Sequence, residues 1–147
     1  MKVDGQELGE IGLNAALAAH YGAVAVLATG DDMLAREAES VVPGITTVSV
    51  KRAFGNRAAE GLHPEESCQR IEVAAEAALA TGREVRAPNF NGAVDLEVEM
   101  LRPFMTEQAC LIPGVELRTP LTLGLHAADF PTAYNMIDVF AILASAT

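Results

Sequence analysis

The chain has 147 residues, half of them hydrophobic, and a net charge of −10, enough length for one domain or two small lobes with a real core. The acidic balance argues against nucleic acid and anionic membranes, because phosphate binding needs clustered cations, and the only local basic group is Lys51, Arg52 and Arg57. No apolar run approaches the roughly 18 residues needed to span a bilayer, and no hydrophobic signal region follows Lys2, so the chain reads as soluble and cytoplasmic.

Taken in chain order, residues 9–21 form a predicted helix stopped by Gly22. Residues 23–28 follow as an uninterrupted apolar run, the pattern of a strand buried on both faces. Thr29-Gly30-Asp31-Asp32 reads as a turn, with Asp31 opening a helix to about Ser40 and both aspartates suited to its cap and dipole. Pro43-Gly44 breaks that helix, and residues 45–50 supply the next strand. The result is a strand–helix–strand crossover between parallel strands. His63-Pro64-Glu65-Glu66 opens the longest helix, with proline in a tolerated first-turn position. Its apolar stripe runs Cys68, Ile71, Ala75, Ala78 and Leu79 before Gly82 ends it. Cys68 and Cys110 have no metal-ligand spacing and are expected to be reduced and buried.

The turn residues of Arg86-Ala87-Pro88-Asn89-Phe90-Asn91-Gly92 mark a change of composition. The predicted organisation is an α/β lobe with a partial parallel sheet over residues 1–86, a linker at 87–92, and a small α+β lobe with antiparallel strands over 93–147. In that second lobe Val94, Leu96, Val98 and Met100 alternate with Asp95, Glu97 and Glu99, which describes an antiparallel strand with one wet face. A short helix follows Pro103 and ends at Pro113-Gly114, and residues 115–118 and 121–126 read as a hairpin or a bent strand about Thr119-Pro120. Asp129 caps a final helix whose core stripe is Phe130, Ala133, Tyr134, Ile137, Ala141 and Ala144.

Against this frame Gly9-Glu10-Ile11-Gly12 stands out. Helix propensity argues against such glycines at about 1 kcal/mol each, and their lack of side chain lets a ligand approach the Glu10 carboxylate closely. A helix entering a parallel strand runs opposite to it. Glu10 should therefore lie beside the carboxyl end of the first strand, together with Asp31, Asp32 and Lys51, at the edge where open α/β sheets bind ligands. Asn14 is one turn beyond Glu10 and placed to orient it. Each residue also has a plainer reading: Glu10 as a first-turn dipole acid, the aspartates as caps, Lys51 as a solvated strand end. His20 suits its helix terminus, His63 neighbours a cap and His126 faces the polar side of a strand. No two histidines have ligand spacing, no serine sits in a nucleophile elbow, and Gly5, Gly9 and Gly12 make no dinucleotide loop. The residues alone describe an acidic ligand edge, not a complete active site.

Val3-Asp4-Gly5, Gly9-Glu10-Ile11-Gly12-Leu13-Asn14-Ala15-Ala16 and the stretch Tyr21 to Asp32 together resemble the DppA-type D-aminopeptidases. The likeness continues through Pro43-Gly44, Val50-Lys51, Leu62-His63-Pro64-Glu65-Glu66, Pro113-Gly114-Val115-Glu116 and Ala128-Asp129-Phe130, and so covers nearly the whole chain. It implies a zinc metallopeptidase that acts on short peptides with D-amino-acid N-termini and assembles into a ring-like homo-oligomer. It also implies that Glu10 is one metal ligand. The remaining ligands, an Asp-x-Glu motif and two histidines, and the catalytic histidine are expected upstream of Met1, so no catalytic residue falls in this chain. Asn14, Asp31, Asp32 and Lys51 become site-edge residues. In the intact enzyme a metal-bound water would attack the scissile amide. The alternative is a non-catalytic remnant or interaction module of the same fold; an anion or nucleotide binder using Lys51 and Arg52 is weaker, because no phosphate loop is present.

Overall fold

The computed structural model describes residues 1–55 and 58–145, and the chain forms two compact units, Glu10–Asn89 and the combination of Met1–Gly9 with Phe90–Thr147. Arg57 lies outside the described residues.

The unit Glu10–Asn89 is α/β. Helix α1 (Glu10–His20) precedes strand β3 (Leu27–Asp31), which is joined through α2 (Asp32–Val41) to β4 (Thr46–Phe54); two short strands, β1 (Lys2–Val3) and β2 (Gln6–Glu7), come earlier in the chain and belong to the other unit. β3 and β4 pair in parallel, as the crossover requires, and β5 (Ala58–Gly61) pairs antiparallel to the far half of β4. The core is small: Ala15, Ala28, Ala38, Val42 and Ile45, with Ile11, Leu34 and Val85 packed against it. Gly44 has φ +92°, and a Cβ there would collide with the Glu84 carbonyl, so this turn needs glycine both for its backbone and for the close approach of the returning chain. Arg86 N–H closes that approach by donating to the Pro43 carbonyl at 2.9 Å.

Several expectations change here. The first strand begins at Leu27, not at residue 23, and Val24 is exposed; β4 starts at Thr46, which pairs with Leu27, and β3 has no second neighbour among the described residues to recruit the earlier residues. The Thr29-Gly30 turn is instead strand, because Val48 and Ser49 pair with it. Lys51 is inside β4 and does not follow it, since β5 extends the ladder beyond the end of β3. Helix α3 (Pro64–Ala80) covers β3 and β4 without burying any residue fully. Its stripe is consequently half-buried at best, with Leu79 and Cys68 exposed. Both cysteines are free; neither is buried, Cys110 being half-buried at the end of its helix.

The other unit is a five-stranded antiparallel sheet in the order β2-β1-β6-β8-β7, where β6 is Val94–Glu99, β7 Val115–Thr119 and β8 Thr122–Ala127. Val94, Leu96, Val98 and Met100 are buried and the acids between them are not, as the alternation predicts. The β1–β2 hairpin is held by Asp4 (φ +49°) and Gly5 (φ +80°), the positive-φ pair of a two-residue turn that matches strand twist. Helices α4 (Pro103–Ala109) and α5 (Phe130–Ser145) pack against the sheet. The α5 stripe differs from expectation: Phe130, Ala133 and Phe140 are buried and Ala141 is exposed, because the helix turns its 3-4-3 spacing through Ile137 onto Phe140. Thr106 is fully buried, its hydroxyl donating to the Pro120 carbonyl at 2.7 Å. On the wet face Arg118 donates to Asp95 and Glu97, at 2.6 Å each, and lies over Gly124, where any side chain would strike its guanidinium. These bonds hold the Asp95 carboxyl below its ordinary range and raise the Arg118 pKa.

Candidate functional site

Glu10 is the first residue of α1, where a carboxylate suits the helix dipole. Gly12, Leu13, Ala15 and Ala16 are buried on the packed side of this helix, which leaves Glu10 and Asn14, one turn apart, on its exposed side. Ile11 packs against the same small core that receives Leu34 from the first turn of α2. Glu10 makes no ion pair among the described residues.

Asp31, Asp32 and Lys51 come together at the carboxyl end of β3. Asp31 ends that strand and caps α2, its Oδ1 accepting from Met33 N at 3.1 Å and Leu34 N at 2.8 Å. Asp32 reaches across to β4. Its Oδ1 accepts from Ala53 N at 3.1 Å and its Oδ2 from Arg36 at 3.1 Å. The Ala53 N–H lies beyond the last residue that β3 can pair, so the carboxylate takes the place of a missing strand. That N–H, with smaller help from Arg36 and Arg52, holds the Asp32 carboxyl below its ordinary pKa. Lys51 is exposed, opposite Asp31 in one ladder and Gly61 in the other.

An open cleft of about 300 Å³ lies at this strand end, lined by Asp32, Ser49, Lys51, Arg52, Glu60, Gly61 and Leu62. Arg52 belongs to the basic group visible in sequence, whereas Ser49, Glu60 and Gly61 fall in no motif; strand β5, four exposed residues too short to show a period, brings Glu60 and Gly61 there. Among the described residues no three histidines, cysteines, aspartates or glutamates are grouped to hold a metal ion. A protein zinc site uses at least three ligands, so the residues present do not by themselves form one. No helix among the described residues is long and apolar enough to cross a membrane.

The sequence model of the D-aminopeptidase family matches residues 1–139. The chain belongs to this family. It is 30% identical over 146 residues to the D-aminopeptidase of Bacillus subtilis (strain 168), an alignment that takes in 99% of this chain and 53% of that protein. Its fold superposes, with a TM-score of 0.91 and 30% identity, on the solved structure of the zinc-dependent D-aminopeptidase DppA from Bacillus subtilis, a self-compartmentalizing protease, covering 99% of this chain and 54% of that one. The chain thus spans about half the length of the relatives it matches. Family membership agrees with the resemblance carried by Gly9-Glu10-Ile11-Gly12 and with the mixed α/β architecture.

Proposed function

We propose that this chain is one portion of a zinc-dependent D-aminopeptidase that hydrolyses short peptides with D-amino-acid N-termini, with Glu10 as its contribution to the metal shell. The observation that carries the reading is the continuous match to a zinc-dependent relative, in sequence and in fold, over 99% of this chain. The exposed placement of Glu10 at the first turn of α1, ahead of a buried Gly12, leaves its carboxylate accessible and supports the assignment. The zinc would supply Lewis-acid activation of the scissile amide; this chain's share is to hold a carboxylate at a fixed helix start, with Asn14 one turn away to orient it. Asp31 and Asp32 act as supports, tying α2 to both strands, and Lys51 faces the open cleft. The metallopeptidase core in this reading is the unit Glu10–Asn89, and the smaller lobe is Phe90–Thr147 together with Met1–Gly9, whose strand β1 pairs with β6 and so departs from the expected 1–86 boundary. The working protein is a cytoplasmic homo-oligomer in this reading.

A second reading is favoured by the lack of a three-ligand group among the described residues: a non-catalytic remnant or interaction module of the same fold. Complementation separates the two. The 147-residue chain alone should leave D-Ala-D-Ala uncleaved with added zinc, and should support cleavage when joined to the remaining half of a family member. Continued inactivity of a folded, zinc-loaded assembly would favour the module.

A further inference from the structure

The unit Glu10–Asn89 presents an exposed aromatic in one place and an open apolar groove in another. β4 continues past the last residue that β3 pairs, and from Arg52 to Phe54 its only strand neighbour among the described residues is β5. Phe54 is 51% exposed there, with the Arg52 guanidinium 5.3 Å from its ring centroid. The groove lies between α3 and β4, measures about 410 Å³ and is lined by Val48, Gln69, Arg70, Val73, Ala74 and Ala77. Val73 is 61% exposed in it. Phe54 lies six residues beyond Val48 in β4, about 20 Å away at roughly 3.3 Å per residue, so a chain does not fill its own groove.

Charge selects a second copy as the occupant. Along the chain, residues 51–61 hold Lys51, Arg52 and Arg57 against one acid, Glu60, which faces Arg52 across the ladder. Asp32, the other acid at the base of this hairpin, is engaged by Ala53 N and Arg36. The hairpin is thus locally basic in a chain of net charge −10. Helix α3 is the opposite, with Glu65, Glu66, Glu72 and Glu76 against Arg70. Glu66 takes Arg70 at 2.6 Å, whereas Glu72 and Glu76 are exposed and form no ion pair among the described residues. At about 3.6 residues per turn, both run along the margin of the groove on the Gln69 side.

We propose that copies of this chain join head to tail, the Arg52–Phe54 knob of one entering the α3 groove of the next, with its cations against Glu72 and Glu76 of the partner subunit. Buried aromatic and arginine side chains are the common anchors of protein interfaces. The contact joins two different surfaces, so it repeats from copy to copy and closes a ring where the rotation permits. It rests on the homo-oligomer of the preceding reading and names the surfaces that build it, and it needs neither metal nor hydrolysis.

The test is sedimentation velocity of the zinc-free 147-residue chain, of a knob variant, Phe54→Ser, and of a groove variant, Val73→Lys. Both substitutions are at exposed positions, and circular dichroism checks that each variant is folded. The unsubstituted chain should associate as its concentration rises. Each variant alone should associate at least about thirtyfold more weakly, the effect of losing one anchor side chain. Mixed together, the two should form a one-to-one dimer and nothing larger, because the pair keeps one intact knob and one intact groove. Arg52→Glu should also weaken association, and adding Glu72→Arg and Glu76→Arg to the same chain should restore it. An unsubstituted chain that stays monomeric, a variant that associates undiminished, a mixture that stays monomeric, or a charge swap without recovery would each overturn the proposal. So would a groove variant that self-associates normally but no longer binds the remaining half of a family member, since the groove would then belong to that half. Cleavage is not read in any arm, so failure of this contact and failure of the peptidase reading are distinguishable.

Discussion

The two units of this chain solve the packing problem differently. The antiparallel unit buries large side chains completely: Leu96 and Leu123 on its sheet, Phe130 and Phe140 on α5. The α/β unit is centred on three alanines, Val42 and Ile45, and has β3 at a sheet edge with no outer neighbour among the described residues. Burial scales with apolar area removed from water. The unit that holds Glu10, Asp32 and Lys51 is thus the one with the smaller core, and functional surfaces are commonly drawn from the less protected parts of a fold.

The largest expected effect tests the better-packed unit. Phe130→Ala removes a fully buried ring that stacks on Phe90 at 5.1 Å and should cost about 3–5 kcal/mol, read from a urea unfolding curve. A cost below about 1 kcal/mol would show that the antiparallel core is not consolidated. Gly44→Ala comes next, in the α/β unit. A left-handed backbone for a non-glycine residue costs of order 1–3 kcal/mol, and here the added methyl also meets the Glu84 carbonyl, so loss should reach the top of that range. Asp31→Ala should cost about 1 kcal/mol through its cap, visible as a lower melting temperature. Smallest is a pH effect. The Asp32 carboxyl titrates below its ordinary value of 3.8 when folded, so it contributes stability above that pH, and the contribution fades as pH falls through the folded pKa. Asp32→Asn should flatten this acid limb in a stability-against-pH series. Amide exchange sharpens the contrast between units: Leu96 and Val98 should exchange more slowly than Thr29, and the reverse order would break it.

The period-2 pattern of residues 94–100 was legible because alternate faces of an antiparallel sheet differ sharply in polarity. Asp31 was legible as a cap because the chemistry is local to three residues. β3 was misplaced by four residues because its limits are set by pairing with Thr46 through Lys51, a contact no local pattern records. Asp4-Gly5 is the local signal of the β1–β2 hairpin, since both residues take the positive φ of a two-residue turn. Phe140 is not distinguishable from Ala141 by periodicity, because both positions fit a helical repeat and only the packing against the sheet buries Phe140. Of the candidate site, the strand-end group of Asp31, Asp32 and Lys51 followed from topology. The cleft did not, because β5 is four residues long, built of two alanines, a glutamate and a glycine, and exposed throughout, with no hydrophobic alternation to announce it.

The most direct measurement is peptide hydrolysis by the complemented enzyme carrying Glu10→Gln. The substitution keeps side-chain size and removes the charge a metal ligand needs, so the folded variant, checked by circular dichroism and metal content, should lose bound zinc and most of its cleavage of D-Ala-D-Ala. Near-complete activity with full zinc loading would contradict the assignment and leave Glu10 only its place at the positive end of α1.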